Sequence, residues 1–410
     1  MPADPPEQFV NRVAVTGLGP VSSIGSGISI FADALFSGNS GISRISRFDP
    51  SGFPYQHAGE VVGFDPAHYL RRLDPAEWGR SSQLAAAAAR LAVADARLDP
   101  HRIDPTRAHA IIGTTSGESA VIEAVTAQLV AAGFPGQDPA LLAQLPANRI
   151  AHAVSMELGL EGESLTIANA CSASNCAIGY GYDLLSDGRA DVVLAGGAES
   201  VCRWIHAGFY RLGAVADNVC APFDRDRAGL LTGEGGAVLV LETFEHARAR
   251  GARIYAEVLG YAVNCDASHP VAPDLDGISA CMRAAHLDAG VKPSDVDYIS
   301  AHGTGTRVGD QVEGQAILDV FGPEPPPVSS IKSMIGHTMG AASAFGAIAS
   351  ILAIDRGLLP PTMNFGSVDP GLAGLDTVPN AARPATVRVA QNNGFAFAGD
   401  NAIVMLGAVA

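Results

Sequence analysis

The hydrophobic positions of the chain fall into short apolar runs that alternate with longer stretches of helical spacing. The apolar runs are rich in Val, Ile and Ala with little polar alternation, which is typical of strands covered on both faces. Ten runs are predicted as strands: 12–18, 108–114, 164–170, 191–197, 236–242, 254–263, 297–302, 328–333, 386–393 and 401–406. Helices are predicted over 80–98, 173–187, 276–289, 311–321 and 340–356. This alternation predicts an α/β fold.

A seam near residues 250–256 divides the predicted elements, because a new strand begins there directly after a charged helix end. About five predicted strands lie on each side of it, which suits a duplicated α/β architecture. We therefore predict an N-terminal half over residues 1–253 and a C-terminal half over 254–410. Sequence identity between the halves is too weak to establish a repeat by itself.

One stretch is long enough to cross a membrane by composition. Between Lys332 and Asp355 lie 22 residues without a formal charge. The stretch contains several glycines, serines and a histidine, and its apolar part, AASAFGAIASILAI, is only 14 residues long. We predict a helix buried inside the protein, and no membrane association.

Composition narrows the possible functions. The 410 residues include 26 Lys and Arg against 42 Asp and Glu, a formal charge of −16. Such an acidic chain is a poor candidate for nucleic-acid binding, and 48% hydrophobic residues exclude disorder. The six cysteines form neither a disulfide framework nor a zinc-binding pattern, and the sequence MPADPPEQFVNR is no secretory signal. We expect a cytoplasmic protein without a bound metal.

The stretch SLTIANACSASNC carries the first candidate for chemistry. A predicted strand runs into Cys171 and a helix starts directly after it, so the thiol lies at a helix N-terminus, which favours the thiolate. The neighbouring residues are small, so a substrate carbonyl has room to approach, and backbone N–H groups are placed to hold an oxyanion. A buried and inert cysteine is the alternative.

Two further segments carry histidines. His302 ends a strand and is followed by the turn Gly-Thr-Gly-Thr, and Asp310 and Glu313 lie one helical turn apart just beyond it. Lys332 and His337 lie five residues apart around a glycine in KSMIGH. A lysine in so apolar a segment needs a partner, for which Asp310 and Glu313 are candidates. A structural role for each histidine stays open from the pattern alone.

The C-terminal stretch NNGFAFAGDNAIVML is a loop rich in small residues that holds Phe395 and Phe397. Two aromatic side chains among small residues suit a gate, and they equally suit ordinary core packing.

In this order and spacing, Cys171, HGTGT, KSMIGH and GFAFAGDNA resemble the β-ketoacyl synthases, the condensing enzymes of fatty acid and polyketide synthesis. The segment CAPFDRDRAGLLTGEGG resembles the family as well, and the resemblance extends from residue 13 to residue 406. It implies a thiolase-like α/β fold, in which two similar halves form a five-layer α-β-α-β-α sandwich.

The resemblance also implies a reaction. Cys171 would take an acyl group from a carrier thioester. His302 and His337 would hold the thioester carbonyl of a malonyl group on an acyl carrier protein and stabilise the enolate formed as CO2 leaves. The backbone N–H groups of Cys171 and Phe397 would hold the oxyanion of the condensation step. The product would be a 3-ketoacyl carrier protein, and no cofactor beyond the carrier's phosphopantetheine would be needed.

Further roles follow from the same resemblance. Lys332 would set the electrostatics around His302, with Asp310 and Glu313 as its counterions. Thr304 and Thr306 would bind the pantetheine arm, and Phe395 and Phe397 would gate acyl access. Such enzymes are dimers, in which Ile122 would close the acyl pocket at the interface. An acidic carrier needs a local basic patch, for which the candidates are Arg71, Arg72, Arg80, Arg203 and Arg211.

Departures from the family pattern bear on the pathway. The family loop often reads NSFGFGGTNA, whereas this chain has Ala396 and Ala398 at two glycine positions and Asp400 in place of threonine. Fatty acid synthases of this type usually carry Glu nine residues after the second histidine, where this chain has Gly346. Together with HGTGTRVGDQVEGQA, this favours a discrete ketosynthase of a type II polyketide or polyene pathway.

Other assignments stay open. The chain also fits a housekeeping fatty acid elongation synthase, and it fits one subunit of a ketosynthase/chain-length-factor heterodimer. A non-catalytic chain-length partner usually lacks the cysteine, and a thiolase would need a second catalytic cysteine, yet none follows Cys281. A priming synthase, a decarboxylase and a cysteine hydrolase are more distant alternatives.

Overall fold

The structure, a computed structural model, describes residues 11–409. Residues 1–10, which make up most of the segment MPADPPEQFVNR, therefore lie outside the described residues. Sixteen strands and twelve α-helices are present in the described part, joined by short 3₁₀ turns.

The N-terminal half, up to the seam, contains nine strands and eight helices. The strands are β1 (Val13–Ser22), β2 (Gly25–Ser26), β3 (Ile42–Arg44), β4 (His57–Gly59), β5 (Ala108–Thr114), β6 (Ser164–Ala168), β7 (Val192–Glu199), β8 (Thr232–Gly233) and β9 (Gly235–Thr243). The helices are α1 (Ile28–Phe36), α2 (Arg80–Asp95), α3 (Ser119–Ala132), α4 (Pro139–Leu142), α5 (Arg149–Leu158), α6 (Ala173–Ser186), α7 (Arg203–Arg211) and α8 (Phe244–Ala249).

The C-terminal half contains seven strands and four helices. The strands are β10 (Ala256–Cys265), β11 (Tyr298–Ser300), β12 (Val328–Ser329), β13 (Leu358–Leu359), β14 (Arg383–Pro384), β15 (Val389–Phe395) and β16 (Asp400–Gly407). The helices are α9 (Leu275–Asp288), α10 (Arg307–Phe321), α11 (Lys332–Ile335) and α12 (Ala342–Arg356).

Each half builds a five-stranded mixed sheet of the same topology. The N-terminal sheet has the order β6-β5-β7-β9-β1, and the C-terminal sheet the order β12-β11-β15-β16-β10. In both, the first three strands of that order run parallel and the last two pairs are antiparallel. When the five strands of each sheet are counted in chain order, both sheets have the spatial order third, second, fourth, fifth, first. This shared order is the structural signature of the duplication that sequence identity did not reveal.

The two sheets are joined edge to edge, because β1 pairs antiparallel with β10 over three residue pairs. Helices α6 and α12 pack against each other between the sheets, α2 and α5 cover the outer face of the first, and α9 and α10 cover the outer face of the second. The layers therefore follow the predicted α-β-α-β-α sandwich, and the thiolase-like α/β fold is confirmed. The division at residues 253 and 254 stays a prediction.

Close packing of the outer layer explains the alanine-rich sequence of α2. A Cβ atom built on Gly19 of β1 would lie 1.9 Å from the carbonyl oxygen of Ala88 on α2. Only a glycine on the strand permits that approach. Alanines on the facing side of α2 keep the helix close to the sheet, and Ala85 to Ala89 are fully buried.

The second part of the uncharged stretch forms α12, close to the predicted helix over 340–356, and the first part forms the end of α11 and a turn. Met339–Arg356 is long and apolar enough to cross a membrane by length and composition, yet 83% of it is buried inside the protein. The helix occupies the middle layer, where both sheets cover it.

The predicted strand over 328–333 is wrong in its second half. Only Val328–Ser329 forms a strand, and Lys332 begins the short helix α11. The chain turns because Ser330 Oγ donates to the carbonyl of Gly303 at 2.6 Å and Ser333 Oγ donates to the carbonyl of Ser330 at 2.9 Å. Local side-chain hydrogen bonds of this kind compete with strand pairing. The turn carries Lys332 towards the neighbouring strand end.

Candidate active site

Cys171 lies in a tight turn between strand and helix. Strand β6 ends at Ala168, a 3₁₀ turn spans Ala170–Ser172, and α6 begins at Ala173. Ala170 has a φ of +46°, a left-handed conformation that costs energy for a residue with a Cβ. The turn places the thiol at the start of α6, as the sequence predicts, with 5% of the residue exposed.

The sequence-based expectation that the helix start favours the thiolate needs correction. Burial raises the pKa of the Cys171 thiol to about 12, although the charge of Lys332 acts in the opposite direction. Desolvation of the charged form outweighs the nearby cation. The resting form of Cys171 is therefore the thiol.

His337 is the direct partner of Cys171. Its Nε2 lies 3.1 Å from the cysteine Sγ, and its Nδ1 accepts a hydrogen bond from the backbone N–H of Met339 at 3.2 Å. Because Nδ1 is an acceptor, the ring proton resides on Nε2 and points towards Sγ. Burial and the charge of Lys332 hold the pKa of His337 well below its usual value. His337 is thus a neutral N–H donor.

His302 faces His337 from the other side of the site. The two ring centroids are 5.4 Å apart at an angle of 85°, and the ring of Phe395 is 5.8 Å from that of His302. Burial, followed by the charges of Lys332 and His337, lowers the pKa of His302 well below its usual value. Two neutral imidazoles therefore flank the space in front of Cys171.

Lys332 acts on the backbone of His302. Its Nζ donates to the carbonyl oxygen of His302 at 2.5 Å. Among the residues that the structure describes, neither Asp310 nor Glu313 lies within ion-pair distance of Lys332. Burial lowers the pKa of Lys332, and the negative charge of Glu313 raises it from a greater distance. The prediction that both carboxylates pair with Lys332 is therefore corrected to a longer-range influence.

The two carboxylates instead hold the HGTGT turn. Glu313 accepts the backbone N–H groups of His302 and Gly303 at 2.8 and 2.7 Å. Asp310 accepts those of Thr304 and Gly305 at 2.9 and 3.0 Å. Burial raises the pKa of Asp310 to about 7 and that of Glu313 above its usual value. These bonds fix the backbone that carries His302.

Residues that the sequence reasoning missed extend this support. Asn393 Nδ2 donates to Glu313 Oε1 at 2.9 Å, Gln391 Nε2 donates to Asn393 Oδ1 at 2.8 Å, and His286 Nε2 donates to Gln391 Oε1 at 2.7 Å. Gln391 and Asn393 are at most 2% exposed. Amides in succession within a strand predicted to be buried were the available signal, because buried amides need partners.

Glu199 is a second missed residue. At the end of β7 it is fully buried and accepts the backbone N–H groups of Thr115 at 2.5 Å and Gly340 at 3.3 Å. Burial raises its pKa to about 7. It ties the turn that follows His337 to the N-terminal sheet.

A cavity of about 410 Å³ leads from these groups to the surface. Cys171, His302 and His337 line it, together with both candidate gate residues, Phe395 and Phe397. The ring of Phe397 is 5.6 Å from that of Phe209, and Phe395 is 6% exposed. The aromatic side chains therefore lie on the cavity wall beside the cysteine and not in a separate core.

The loop that carries Phe395 and Phe397, which we call the gate loop, contains one strained residue. Ala398 has a φ of +66°, whereas Ala396 is in an extended conformation. Of the two alanines at family glycine positions, only Ala398 occupies the left-handed region, where a Cβ costs about 1–2 kcal/mol. The backbone N–H of Ala398 donates to the carbonyl of Pro270 at 2.9 Å, which ties the loop to a neighbouring one.

Thr304 and Thr306 also line the cavity. Their hydroxyl oxygens are 2.8 Å apart, and Thr304 is 7% exposed. Both side chains therefore lie on the cavity wall, with their hydroxyls hydrogen-bonded to each other.

Ile122 and the candidate docking arginines lie away from the cavity lining. Ile122 is on α3, is 38% exposed and lines no part of the cavity in the described chain. Arg71 and Arg72 are exposed, and their backbone N–H groups bond Glu157 of α5 in the outer layer. Arg211 is exposed at the end of α7, next to Leu212 of the cavity wall.

Two of the candidate arginines have other partners. Arg80 forms two hydrogen bonds with the buried carboxylate of Glu234, at 2.9 and 2.6 Å. Arg203 donates to the carbonyl of Asp49 at 2.7 Å. Arg80 in particular is a structural residue, because its guanidinium is committed to a buried ion pair.

No group of three or more metal-binding side chains occurs within residues 11–409.

Comparison with known families gives two matches. Residues 10–247 match the model of the beta-ketoacyl synthase N-terminal domain, and residues 255–366 match that of the C-terminal domain. Among curated relatives, the 3-oxoacyl-[acyl-carrier-protein] synthase 2 of Coxiella burnetii (strain RSA 493 / Nine Mile phase I) is 36% identical over 409 residues, with 97% of this chain and 99% of the relative covered.

Solved structures are similar over the same extent. The ishigamide ketosynthase/chain length factor is 47% identical, with a TM-score of 0.96, covering 98% of this chain and 100% of that one. A type II PKS acyl-carrier protein in complex with its ketosynthase bound to the hexaketide, AntDE:AntF, gives 31% identity and a TM-score of 0.89, with coverage of 98% and 100%.

Proposed function

The chain belongs to the beta-ketoacyl synthase family, and from that premise we propose which of its residues carry the condensation and which pathway it serves. It is a ketosynthase, an acyltransferase-type condensing enzyme that forms C–C bonds. The observation that supports the residue assignment best is the meeting of Cys171, His302 and His337 on one cavity wall, with His337 Nε2 3.1 Å from the thiol.

In the first step, Cys171 attacks the acyl thioester of a carrier protein. The S–C bond to Cys171 forms, the bond to the carrier's pantetheine sulfur breaks, and the departing thiolate takes up the proton that Cys171 releases. The Nε2–H of His337 donates to Sγ while negative charge develops there. The result is an acyl-cysteine in a site from which bulk water is largely excluded.

In the second step, a malonyl carrier occupies the cavity. The neutral N–H groups of His302 and His337 hold the thioester carbonyl, whose oxygen gains charge as the C–C bond to the carboxylate breaks and CO2 leaves. A neutral donor suits this role, since the lowered pKa values of both histidines keep them uncharged at neutral pH. Lys332 supports the step by fixing the His302 carbonyl and adding positive charge nearby.

In the third step, the enolate carbon attacks the acyl carbonyl on Cys171. Backbone N–H groups of Cys171 and Phe397 hold the tetrahedral oxyanion, and the cysteine sulfur then leaves as a thiolate, which takes one proton from solvent and returns to the thiol. The product is a 3-ketoacyl carrier protein. Asp310 and Glu313 position the HGTGT turn, Thr304 and Thr306 bond the amides of the pantetheine arm, and Phe395 and Phe397 gate the acyl group.

For the pathway, we favour a type II polyketide or polyene system over housekeeping fatty acid elongation. Support comes from the higher identity to the ishigamide ketosynthase/chain length factor than to the bacterial synthase 2, 47% against 36%. Gly346 adds to this, because a Cβ there would lie 2.3 Å from Asn392 Oδ1. A glutamate at that position would collide with the Asn392 side chain.

The proposed partners follow from the same neighbours. An acyl carrier protein delivers both substrates on phosphopantetheine, with no further cofactor, in the cytoplasm. The chain pairs with a second copy, or with a chain-length-factor-like subunit, and Ile122 then closes the acyl pocket across the interface. Exposed Arg71, Arg72 and Arg211 contribute to carrier docking. The N-terminal half supplies the nucleophile, and the C-terminal half, from residue 254, supplies both histidines.

Intact-protein mass spectrometry tests the proposal. An acyl carrier thioester is expected to add one acyl mass on Cys171, and malonyl carrier should then remove it as an elongated product appears. Mass gain on another residue, or rapid loss of the acyl group without malonyl carrier, would contradict the ketosynthase mechanism proposed for these residues. Absence of any gain until a partner subunit is added would identify the heterodimer arrangement.

A further inference from the structure

The wall of the active-site cavity carries a single fixed charge. Of the described residues that line it, Arg307 is the one lysine or arginine, and aspartate and glutamate are both missing from the lining. The rest of the wall is apolar side chains, glycines, hydroxyls and the histidines. A lone cation on an otherwise neutral wall predicts that one anionic group of the ligand comes to rest beside it.

The position of Arg307 along the cavity indicates which part of the ligand carries this anionic group. Exposure rises outward along the turn, from 7% at Thr304 to 59% at Val308, and Arg307 itself is exposed. The segment therefore runs from the catalytic histidine to the cavity mouth within seven residues. A pantetheine arm with its thioester at His302 and its amides at Thr304 and Thr306 leaves the cavity past Arg307.

The guanidinium is available for a ligand. Among residues 11–409, no ion pair or side-chain hydrogen bond occupies Arg307. The carboxylate of Asp369, which shares an adjoining groove with it, is already held by Arg227 at 2.5 Å. Arg227 also donates to the backbone carbonyls of Thr306 and Arg307 at 3.2 and 2.9 Å, which fixes the backbone from which the Arg307 side chain extends.

We propose that Arg307 is a specificity residue that binds the phosphodiester at the carrier end of the pantetheine arm. The proposal rests on the proposed function, because it takes the pantetheine arm as the ligand. A guanidinium pairs with phosphate oxygens through two parallel N–H bonds, a geometry that a lysine does not reproduce. Arg307 thereby sets how deep the arm reaches and favours phosphorylated donors over pantetheine alone.

The test compares donors that differ in one phosphate. Acylation of Cys171 is followed by intact mass with octanoyl-pantetheine, octanoyl-phosphopantetheine and octanoyl carrier protein, for the full chain and for Arg307→Ala. We expect the substitution to raise KM about tenfold for the two phosphorylated donors, with kcat nearly unchanged and octanoyl-pantetheine unaffected. Arg307→Lys should restore part of the loss.

Arg225→Ala is the matched control. Arg225 borders the same groove but is paired with Asp226 at 3.0 Å and does not line the cavity. We expect less than about a twofold change for this variant with every donor. An equal rise in KM for the phosphorylated donors in both variants would mean that the positive charges of this region act together and not through Arg307, and it would overturn the proposal.

Four other outcomes would also overturn it. If Arg307→Ala raises KM equally for donors with and without the phosphate, Arg307 is a structural residue. If it raises KM only for octanoyl carrier protein, Arg307 contacts a carboxylate of the carrier protein. If the unaltered chain accepts none of the three donors on Cys171, either alone or with a chain-length-factor-like partner subunit, the proposed function fails and this subsite fails with it. Acylation without phosphate preference refutes the subsite alone.

Discussion

The two halves of the molecule share one sheet topology but place different chemistry at the same connection. In the N-terminal half, the edge strand β6 leads through one short turn into the central helix α6, and that turn holds Cys171. In the C-terminal half, the corresponding edge strand β12 leads through a longer turn into α12, and that turn holds Lys332 and His337.

Because α6 and α12 pack together in the middle layer, these two connections meet. The meeting brings Cys171 and His337, 166 positions apart in the chain, to 3.1 Å. The neighbouring parallel strands differ too. His302 lies two residues beyond the end of β11 at Ser300, whereas β5 ends in Thr114, which bonds Glu199. The comparison teaches that the duplicated framework supplies position, and that the unequal turns supply the proposed nucleophile and the proposed donors.

The largest expected effect comes from removing the group unique to the N-terminal turn. Cys171→Ala should abolish acyl transfer while leaving the free energy of unfolding within about 1 kcal/mol, because only one sulfur is lost. Cys171→Gln should resemble the acylated enzyme and decarboxylate malonyl carrier without condensation. Intact mass and CO2 release measure both outcomes, and elongation by Cys171→Ala would show that the nucleophile lies elsewhere.

Single substitutions distinguish the contributions of His302 and His337, the two histidines of the C-terminal half. His302→Ala and His337→Ala should each lower malonyl decarboxylation about 10²–10³-fold, because each removes a donor to the developing enolate. His337→Ala should also slow acylation of Cys171, since His337 contacts Sγ and His302 does not. Equal acylation rates in the two variants would contradict the direct partnership. Thermal unfolding serves as the control for folding.

The pH dependence sharpens the assignment of neutral donors. Both histidines have pKa values held well below 6.5 by burial and by Lys332, so protonation does not remove the neutral donor until the pH is well below 6.5. Decarboxylation by Cys171→Gln, which isolates the histidine step, should therefore show no loss caused by histidine protonation between pH 8 and about 6. Asp310 and Glu199, whose pKa values burial raises to about 7, do titrate in this range. A fall with a midpoint near 6.5 that persists in Asp310→Asn and in Glu199→Gln would show ordinary, solvated imidazoles instead.

These lowered pKa values also act on stability. The unfolded chain binds more protons than the folded chain once the pH falls through the ordinary histidine value, so the contribution of these histidines to stability is lost on acidification. Urea unfolding of His337→Ala should accordingly depend less on pH below about 6.5 than the unaltered chain does.

The smallest expected effect concerns the gate loop. Ala398→Gly removes a Cβ from a left-handed position, and the greater freedom of glycine in the unfolded chain offsets part of the gain. A net increase in stability of about 0.5–1 kcal/mol is expected from chemical denaturation. Ala396→Gly is the matched control, because Ala396 is extended and glycine there should destabilise or change nothing. Equal shifts would show that the φ angle is not the cause.

Much of this architecture was predictable, and the failures have identifiable causes. Ten strands, the main helices and the roles implied for Cys171, His302 and His337 follow from runs and motifs that are continuous in sequence. The bend at 330–333 was missed because serine hydroxyls, rather than apolar periodicity, direct it. The pairing of Lys332 was misassigned because spacing cannot distinguish a carboxylate that holds backbone N–H groups from one that holds an ammonium.

By itself, the sequence determined the local parts: which segments form strands and helices, and which reactive groups lie at their ends. These follow from the spacing of apolar residues and from short motifs, in which every interacting position is near in the chain. Only the tertiary structure decided that the two halves share a strand order, that β1 and β10 join them, and that Cys171 is a neutral thiol beside a neutral His337. Those properties depend on burial and on contacts between distant residues, and a linear pattern specifies neither.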